Sequence, residues 1–278
     1  MRNANLLISF LGIVAVGGAS AMAWRWRRTP LLADRLPADS PGRAALDGVR
    51  TLSVAMSAGI LAGALVPGVG GRLVMRILAA TSGDRAQGAR TDADEVVGRI
   101  SRGGSLGVVV FVGILSGVLA GLAFLIVRRW LPRTAGRAGL VGGILLLGTI
   151  GVGDAMSPDN RDFALLRPTW LALTLIVALA LLFGVTLTAL AARLDAGMPP
   201  LSGRPSSIAS HASLVVFAFP LLFIAGAAYV SGRAVSDGQV RQLIDEPAVQ
   251  RAGRIIVAGS TVVAGLLSIR AIAEILSA

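Results

Sequence analysis

The chain has 278 residues, of which 54% are hydrophobic and 15% charged, and its formal net charge is +11. Because the apolar residues gather in blocks of membrane-spanning length, this composition predicts an integral membrane protein rather than a soluble one. The basic residues lie scattered in short loops between those blocks, which argues against the continuous basic stripe of a nucleic-acid-binding protein.

Missing residue types exclude several chemistries. All 26 basic residues are arginine, so Schiff-base catalysis through lysine is excluded, and the absence of cysteine excludes thiol catalysis and thiolate metal sites. The single histidine, His211, makes a His-rich metal site unexpected. We therefore expect no cofactor and no metal.

Seven apolar segments predict an all-α, polytopic bundle of transmembrane helices that forms one integral membrane domain over residues 1–278. About 20 residues of helix cross a hydrocarbon core about 30 Å thick. The fourth segment is the shortest and the richest in glycine, so the count becomes six if that segment is re-entrant. The predicted spans are 5–24, 51–71, 105–127, 138–154, 169–192, 209–231 and 253–274.

The basic loops predict how the chain is inserted. "WRWRR" follows the first segment directly, which favours an uncleaved helix over a secretory signal. "RRWLPR" follows the third segment, and both loops lack acidic residues, so we expect them on the cytoplasmic side of a cell membrane. With seven spans the N-terminus then lies outside and the C-terminus inside, and residues 232–252 lie outside.

Glycines recur every fourth residue in two of the segments. Gly59 and Gly63 lie in the second segment, and Gly113, Gly117 and Gly121 lie in the third. This spacing forms a flat strip on a helix where another backbone can approach closely. Packing within the bundle is the favoured interpretation, and homodimerisation is the alternative.

A charge cluster is predicted near one membrane surface. Arg72 and Arg76 lie one helical turn apart at the end of the second segment. The fourth segment ends on the same side of the membrane, and three aspartates lie there. The two arginines are therefore expected to extend to lipid headgroups, to pair with one of these aspartates, or jointly to hold a phosphate that these acids help to orient. The aspartates are Asp154, Asp159 and Asp162.

Four stretches together resemble an uncharacterised family of bacterial multi-pass membrane proteins. They are "GVGGRLVMRILA", "VVGRISRGGSLG", "RRWLPR" and "DNRDF", and the resemblance covers roughly residues 50–195. It implies a multi-pass architecture and no activity, ligand or catalytic residue.

The expected function is non-enzymatic: binding of a membrane protein partner or an anionic lipid headgroup at the outer face. A small transporter or channel subunit is the alternative, because Pro67, Pro220 and many glycines can break helices around a pathway. An intramembrane hydrolase that uses Ser116 and His211 is the third hypothesis, although the spacing of the known serine-protease motifs is missing.

Overall fold

The computed structural model describes residues 2–31, 41–91, 96–98, 102–157, 159–198, 205–207, 211 and 246–277. Its regular elements are helices, as predicted, and within the described ranges the only β-pairing consists of two isolated bridges, Pro30 with Thr134 and Arg90 with Val96. The helices are α1 (Arg2–Trp26), α2 (Pro41–Gly63), π1 (Ala64–Gly70), α3 (Gly71–Thr81), α4 (Arg102–Gly107), π2 (Val108–Leu115), α5 (Ser116–Val127), α6 (Ala135–Leu146), π3 (Leu147–Ala155), α7 (Asp162–Leu165), α8 (Thr169–Gly197) and α9 (Pro247–Ser277), with a 3₁₀ turn at Asp84–Ala86.

Five helical stretches in the described part are long and apolar enough to cross a membrane, so the chain is a multi-pass membrane protein. The predicted fourth span, 138–154, coincides with the third of these stretches except for its last residue. Helix α1 covers the predicted first segment. The predicted span 209–231 lies outside the described residues except for His211. The five stretches are Leu46–Thr81, Gly103–Val127, Ala135–Gly153, Thr169–Gly197 and Pro247–Ser277.

Three of the long helices change to a wider π-helical stretch along their length. Pro67 lies inside π1, where its ring and its missing N–H group disturb the regular α-helical hydrogen bonds. The helix then continues as α3 to Thr81, about ten residues beyond the predicted span. The stretches π1 and π2 lie against each other, since a Cβ added at Gly68 would meet Gly113 Cα at 3.5 Å.

The glycine strips of the second and third predicted spans face each other. A Cβ added at Gly121 would lie 2.6 Å from the carbonyl oxygen of Ala55, and one at Gly113 would lie 2.9 Å from that of Gly63. Cβ atoms at Gly59 and Gly117 would meet each other's carbonyl groups even more closely. The two helices therefore run antiparallel with their backbones in contact, which only glycine allows at these positions.

Contacts between the helices define two ends of the bundle. At one end, which we call the arginine end, Arg27 lies beside Gly136, Arg50 binds Asp195, and Trp130 lies beside Gly253. At the other, which we call the far end, the core cluster includes Leu78, Met156 and Ile275. Helix α9 therefore starts at the arginine end and finishes at the far end.

This direction of α9 corrects the predicted arrangement of the termini. Helix α1 ends near Gly136 at the arginine end, and its earlier residue Gly12 lies beside Leu73, so Arg2 lies toward the far end. Ser277 closes α9 at the far end as well. The termini were expected on opposite sides and residues 232–252 away from "RRWLPR", but the start of α9 shares the arginine end with that loop. Met198 and Glu246, which flank most of the undescribed stretch, both lie at the arginine end.

Candidate functional site

The arginine end contains a cavity of about 900 Å³ between the loop that follows α5 and the beginning of α9. Four arginines line it, and no carboxylate from the described part of the chain does so. Its wall is formed by Pro30, Leu31, Arg128, Arg129, Trp130, Leu131, Pro132, Arg133, Val141, Gln250, Arg254, Val257, Ala258 and Thr261. We call this cavity the arginine pocket.

Backbone hydrogen bonds hold two loops together at one side of the arginine pocket. Leu31 N–H donates to Arg133 O at 2.8 Å, Ala135 N–H donates to Thr29 O at 3.0 Å, and Gly136 N–H donates to Arg27 O at 2.8 Å. A Cβ at Gly136 would lie 2.9 Å from Arg27 Cβ, so the glycine permits this approach. The loop after α1 therefore fixes the position of Arg133.

Helix α9 closes the arginine pocket on its other side. A Cβ at Gly253 would collide with the indole ring of Trp130, so this glycine lets the ring lie directly against the α9 backbone. The indole Nε1 is buried there and has no hydrogen-bond partner in the described part of the protein. A buried donor without a partner costs about 1 to 3 kcal/mol, and the backbone of α9 at Gly253 covers this one.

The charge of the arginine pocket favours an anionic ligand. Arg128 and Arg129 make further contacts within the protein, whereas Arg133 and Arg254 have exposed side chains. Guanidinium groups hold phosphate oxygens through paired, charge-assisted hydrogen bonds, which makes arginine the usual residue at phosphate sites. The arrangement can therefore bind a phosphate group.

The predicted charge cluster lies at the far end, away from the arginine pocket. Arg72 and Arg76 are half-buried in α3, and Asp154 lies in π3. Asp159 is exposed, while the half-buried Asp162 begins α7. Ser82 links this region to α3, since Arg167 N–H donates to Ser82 Oγ at 3.0 Å.

Arg72 is more enclosed than a residue that extends to the headgroups. Its Nε and Nη2 atoms are buried and have no hydrogen-bond partner in the described part of the chain, and Nη1 lies 3.8 Å from Met75 Sδ. The structure therefore brings no carboxylate to this guanidinium among the described side chains. The proposed pairing with aspartate stays a prediction.

The sequence analysis missed a buried ion pair at the arginine end. Arg50, 2% exposed, forms a salt bridge with the carboxylate of Asp195. Its Nη2 also donates to the carbonyl oxygens of Asp195 and Met198, both at 2.7 Å. Arg50 thereby binds the carbonyls that the end of α8 leaves without helical partners, where a positive charge is favourable. The two residues are 145 positions apart, so only the fold reveals the pair.

Ser116 and His211 do not form the pair that a hydrolase needs. The Ser116 hydroxyl bonds only to carbonyls of its own helix within the described structure, one of them Gly113 O at 3.1 Å. His211 Nδ1 lies 2.9 Å from Ser207 O, and the His211 carbonyl accepts a hydrogen bond from Ser53. Both residues therefore have local structural partners.

No family model matches the chain, and no curated protein or solved structure matches it either. The resemblance to a family of bacterial multi-pass membrane proteins stays a prediction. The fold and the arginine pocket together define a helical membrane protein with a cavity lined by arginines at one end.

Proposed function

We propose that this protein binds a phosphate-bearing anion in the arginine pocket and carries out no chemistry on it. The observation that supports this proposal is the lining of the cavity, with four arginines and no carboxylate among the described residues. The pocket is formed where α5 ends and α9 begins, which is the depth of the lipid headgroups for helices of spanning length. The proposed function is binding, which is also the class that the sequence predicts, but at the end opposite to Arg72 and Arg76.

The basic loops support a cytoplasmic position for the arginine end. "WRWRR" and "RRWLPR" lie at this end, and Arg251 and Arg254 of α9 add to the positive charge there. Short cytoplasmic loops of inner-membrane proteins carry an excess of basic residues. The cytoplasmic leaflet also carries anionic lipid, which attracts arginine by about 1 kcal/mol for each residue near the surface.

A small transporter or channel subunit remains the second candidate. The π-helical stretches support it, because π-helical irregularities in transmembrane helices are frequent at functional sites. Gly68 of π1 and Gly113 of π2 approach each other within the same pair of spans. Uptake of labelled substrates into proteoliposomes would test this candidate directly.

A matched pair of variants in α9 tests the binding proposal. Arg254→Gln removes a charge that lines the arginine pocket, whereas Arg251→Gln removes an exposed charge of the same helix that does not line it. A hydrogen bond to a charged group contributes about 1.5 to 3 kcal/mol, so Arg254→Gln should weaken anion binding by about tenfold or more. Binding of phosphatidylglycerol, measured by native mass spectrometry of the purified protein, provides the comparison. Equal affinities of the two variants would refute the proposal.

A further inference from the structure

The arginine pocket changes in character along α9. Its lining residues from this helix are Gln250, Arg254, Val257, Ala258 and Thr261, which share one face at helical spacing. The first two are polar or charged, and the next two are apolar. The Thr261 hydroxyl donates to Val257 O at 2.6 Å within its own helix, so it needs no other partner.

The apolar part of the arginine pocket lies at the depth of the hydrocarbon. Going along α9 from Arg254 to Thr261 covers about 10 Å toward the middle of the bundle. The next turn reaches Ala264, which packs tightly against Gly148 near the junction of α6 and π3. Val141 of α6 lines the pocket opposite α9. The cavity is therefore much longer than a phosphate group. Its inner part offers the apolar contacts that a hydrocarbon chain uses.

Exposed apolar residues of α9 lie beside the pocket. On the neighbouring face of α9, Ile255 is 71% exposed and Ile256 is 66% exposed, as expected for residues that face lipid chains. A lipid can thus enter from the membrane with its headgroup at the level of the arginines. The unpartnered indole Nε1 of Trp130 lies beside α9 at Gly253, one position before Arg254. Tryptophan takes this interfacial position in many membrane proteins.

We propose that the ligand is an acidic glycerophospholipid rather than a soluble phosphate. Its phosphate lies between Arg133 and Arg254, and one acyl chain follows the apolar wall between α6 and α9. This inference rests on the proposed function and adds the class of ligand. Charge complementarity at the mouth and the continuous apolar wall both support the same occupant.

Three probes test the ligand class on the full-length protein in detergent micelles. Dioleoyl phosphatidylglycerol carries the charge and the chains, dioleoyl phosphatidylcholine carries the chains without net charge, and glycerol 3-phosphate carries the charge without chains. Native mass spectrometry should show at least tenfold tighter binding of the first lipid than of the second. Glycerol 3-phosphate at the same concentration should displace none of the bound phosphatidylglycerol.

Two variants separate this inference from the proposed function. Ala258→Trp fills the apolar wall without changing any charge, and we expect it to lose at least tenfold in affinity for phosphatidylglycerol. Ile255→Trp places the same side chain on the lipid-facing side of α9, outside the pocket, and should bind like the parent protein. Melting temperatures establish that both variants fold.

A measurement on the parent protein covers the case in which Ala258→Trp fails to fold. Phosphatidylglycerol with brominated acyl chains should quench the fluorescence of Trp130. The variant Trp130→Phe should therefore show less quenching than the parent protein. Effective competition by glycerol 3-phosphate, parent-like binding by folded Ala258→Trp, or equal quenching in Trp130→Phe would overturn the lipid assignment. If Arg254→Gln leaves the affinity for every probe unchanged, the proposed function itself fails.

Discussion

Arg50 is held by several partners at the end of α8. It binds both the carboxylate of Asp195 and two carbonyls at the end of α8, and it is almost fully buried. Removal of one partner from a buried ion pair leaves the other charge uncompensated and costs about 3 to 5 kcal/mol. We therefore expect Arg50→Ala to lower the melting temperature in detergent strongly. Arg193 is an exposed arginine two positions before Asp195 on α8, so Arg193→Ala is the control and should change stability little.

Arg72 should behave in the opposite way. Two of its guanidinium nitrogens are buried without partners in the described structure, which costs about 1 to 3 kcal/mol. Methionine has a similar length and no donors, so we expect Arg72→Met to leave stability unchanged or to raise it. Thermal melts of the parent, Arg72→Met, Asp154→Asn and the double variant provide the measurement. Loss of stability in both single variants, with a non-additive double variant, would instead support the predicted pairing with Asp154.

Residue-level prediction from the sequence is limited by the long separation between partners. Arg72 could be recognised from the sequence because its charge directly follows an apolar run, and such a run is a local pattern. The pairing of Arg50 with Asp195 links the start of one span to the end of another, and no local pattern carries that information. The arginine pocket could not be recognised from the sequence for the same reason, since "RRWLPR" and Arg254 are separated by more than a hundred residues.

At the level of helices, the glycine strip gives the most direct test of packing. A leucine at Gly117 would have to displace the backbone of the neighbouring helix at Gly59, because even a Cβ finds no room there. Overpacking of this kind costs typically about 1 to 3 kcal/mol, and rigid backbone contacts place Gly117→Leu at the upper end of that range. Gly259→Leu is the control, since nothing lies within 4 Å of a Cβ at that position of α9. Equal melting temperatures of the two variants would show that the two spans do not pack through this strip.

The sequence predicted the presence of the helices much better than it predicted their ends or their π-helical stretches. Apolar runs of spanning length located five of the described helices that can cross a membrane. The apolar run ends at Gly71, but the spacing of Arg72 and Arg76 by one turn predicts that the helix continues, and α3 extends it to Thr81. Pro67 indicated the irregularity at π1, whereas π2 and π3 contain no proline and gave no signal.

For the whole molecule, the relative directions of the helices were the least predictable property. Each span reverses the direction of the chain, so one misjudged segment moves every later loop to the other side. The predicted topology has a single membrane crossing between residues 199 and 246, and therefore places the start of α9 on the far side. With that assignment the arginines are evenly distributed between the two sides of the membrane. Packing of Gly253 against Trp130 settles the end of the bundle at which α9 begins.

The sides of the membrane follow from this arrangement and can be measured on the intact chain. Because the protein contains no cysteine, a single introduced cysteine is its only thiol. Ala196 is exposed at the arginine end, and Ser277 is exposed at the far end. With the arginine end in the cytoplasm, a membrane-impermeant maleimide should label Ser277→Cys in intact cells and label Ala196→Cys only after permeabilisation. The reverse pattern would keep the helix directions but place the arginine pocket outside. The same response from both cysteines would contradict the direction of α8 or α9, because these two positions must lie on opposite sides of the membrane in this fold.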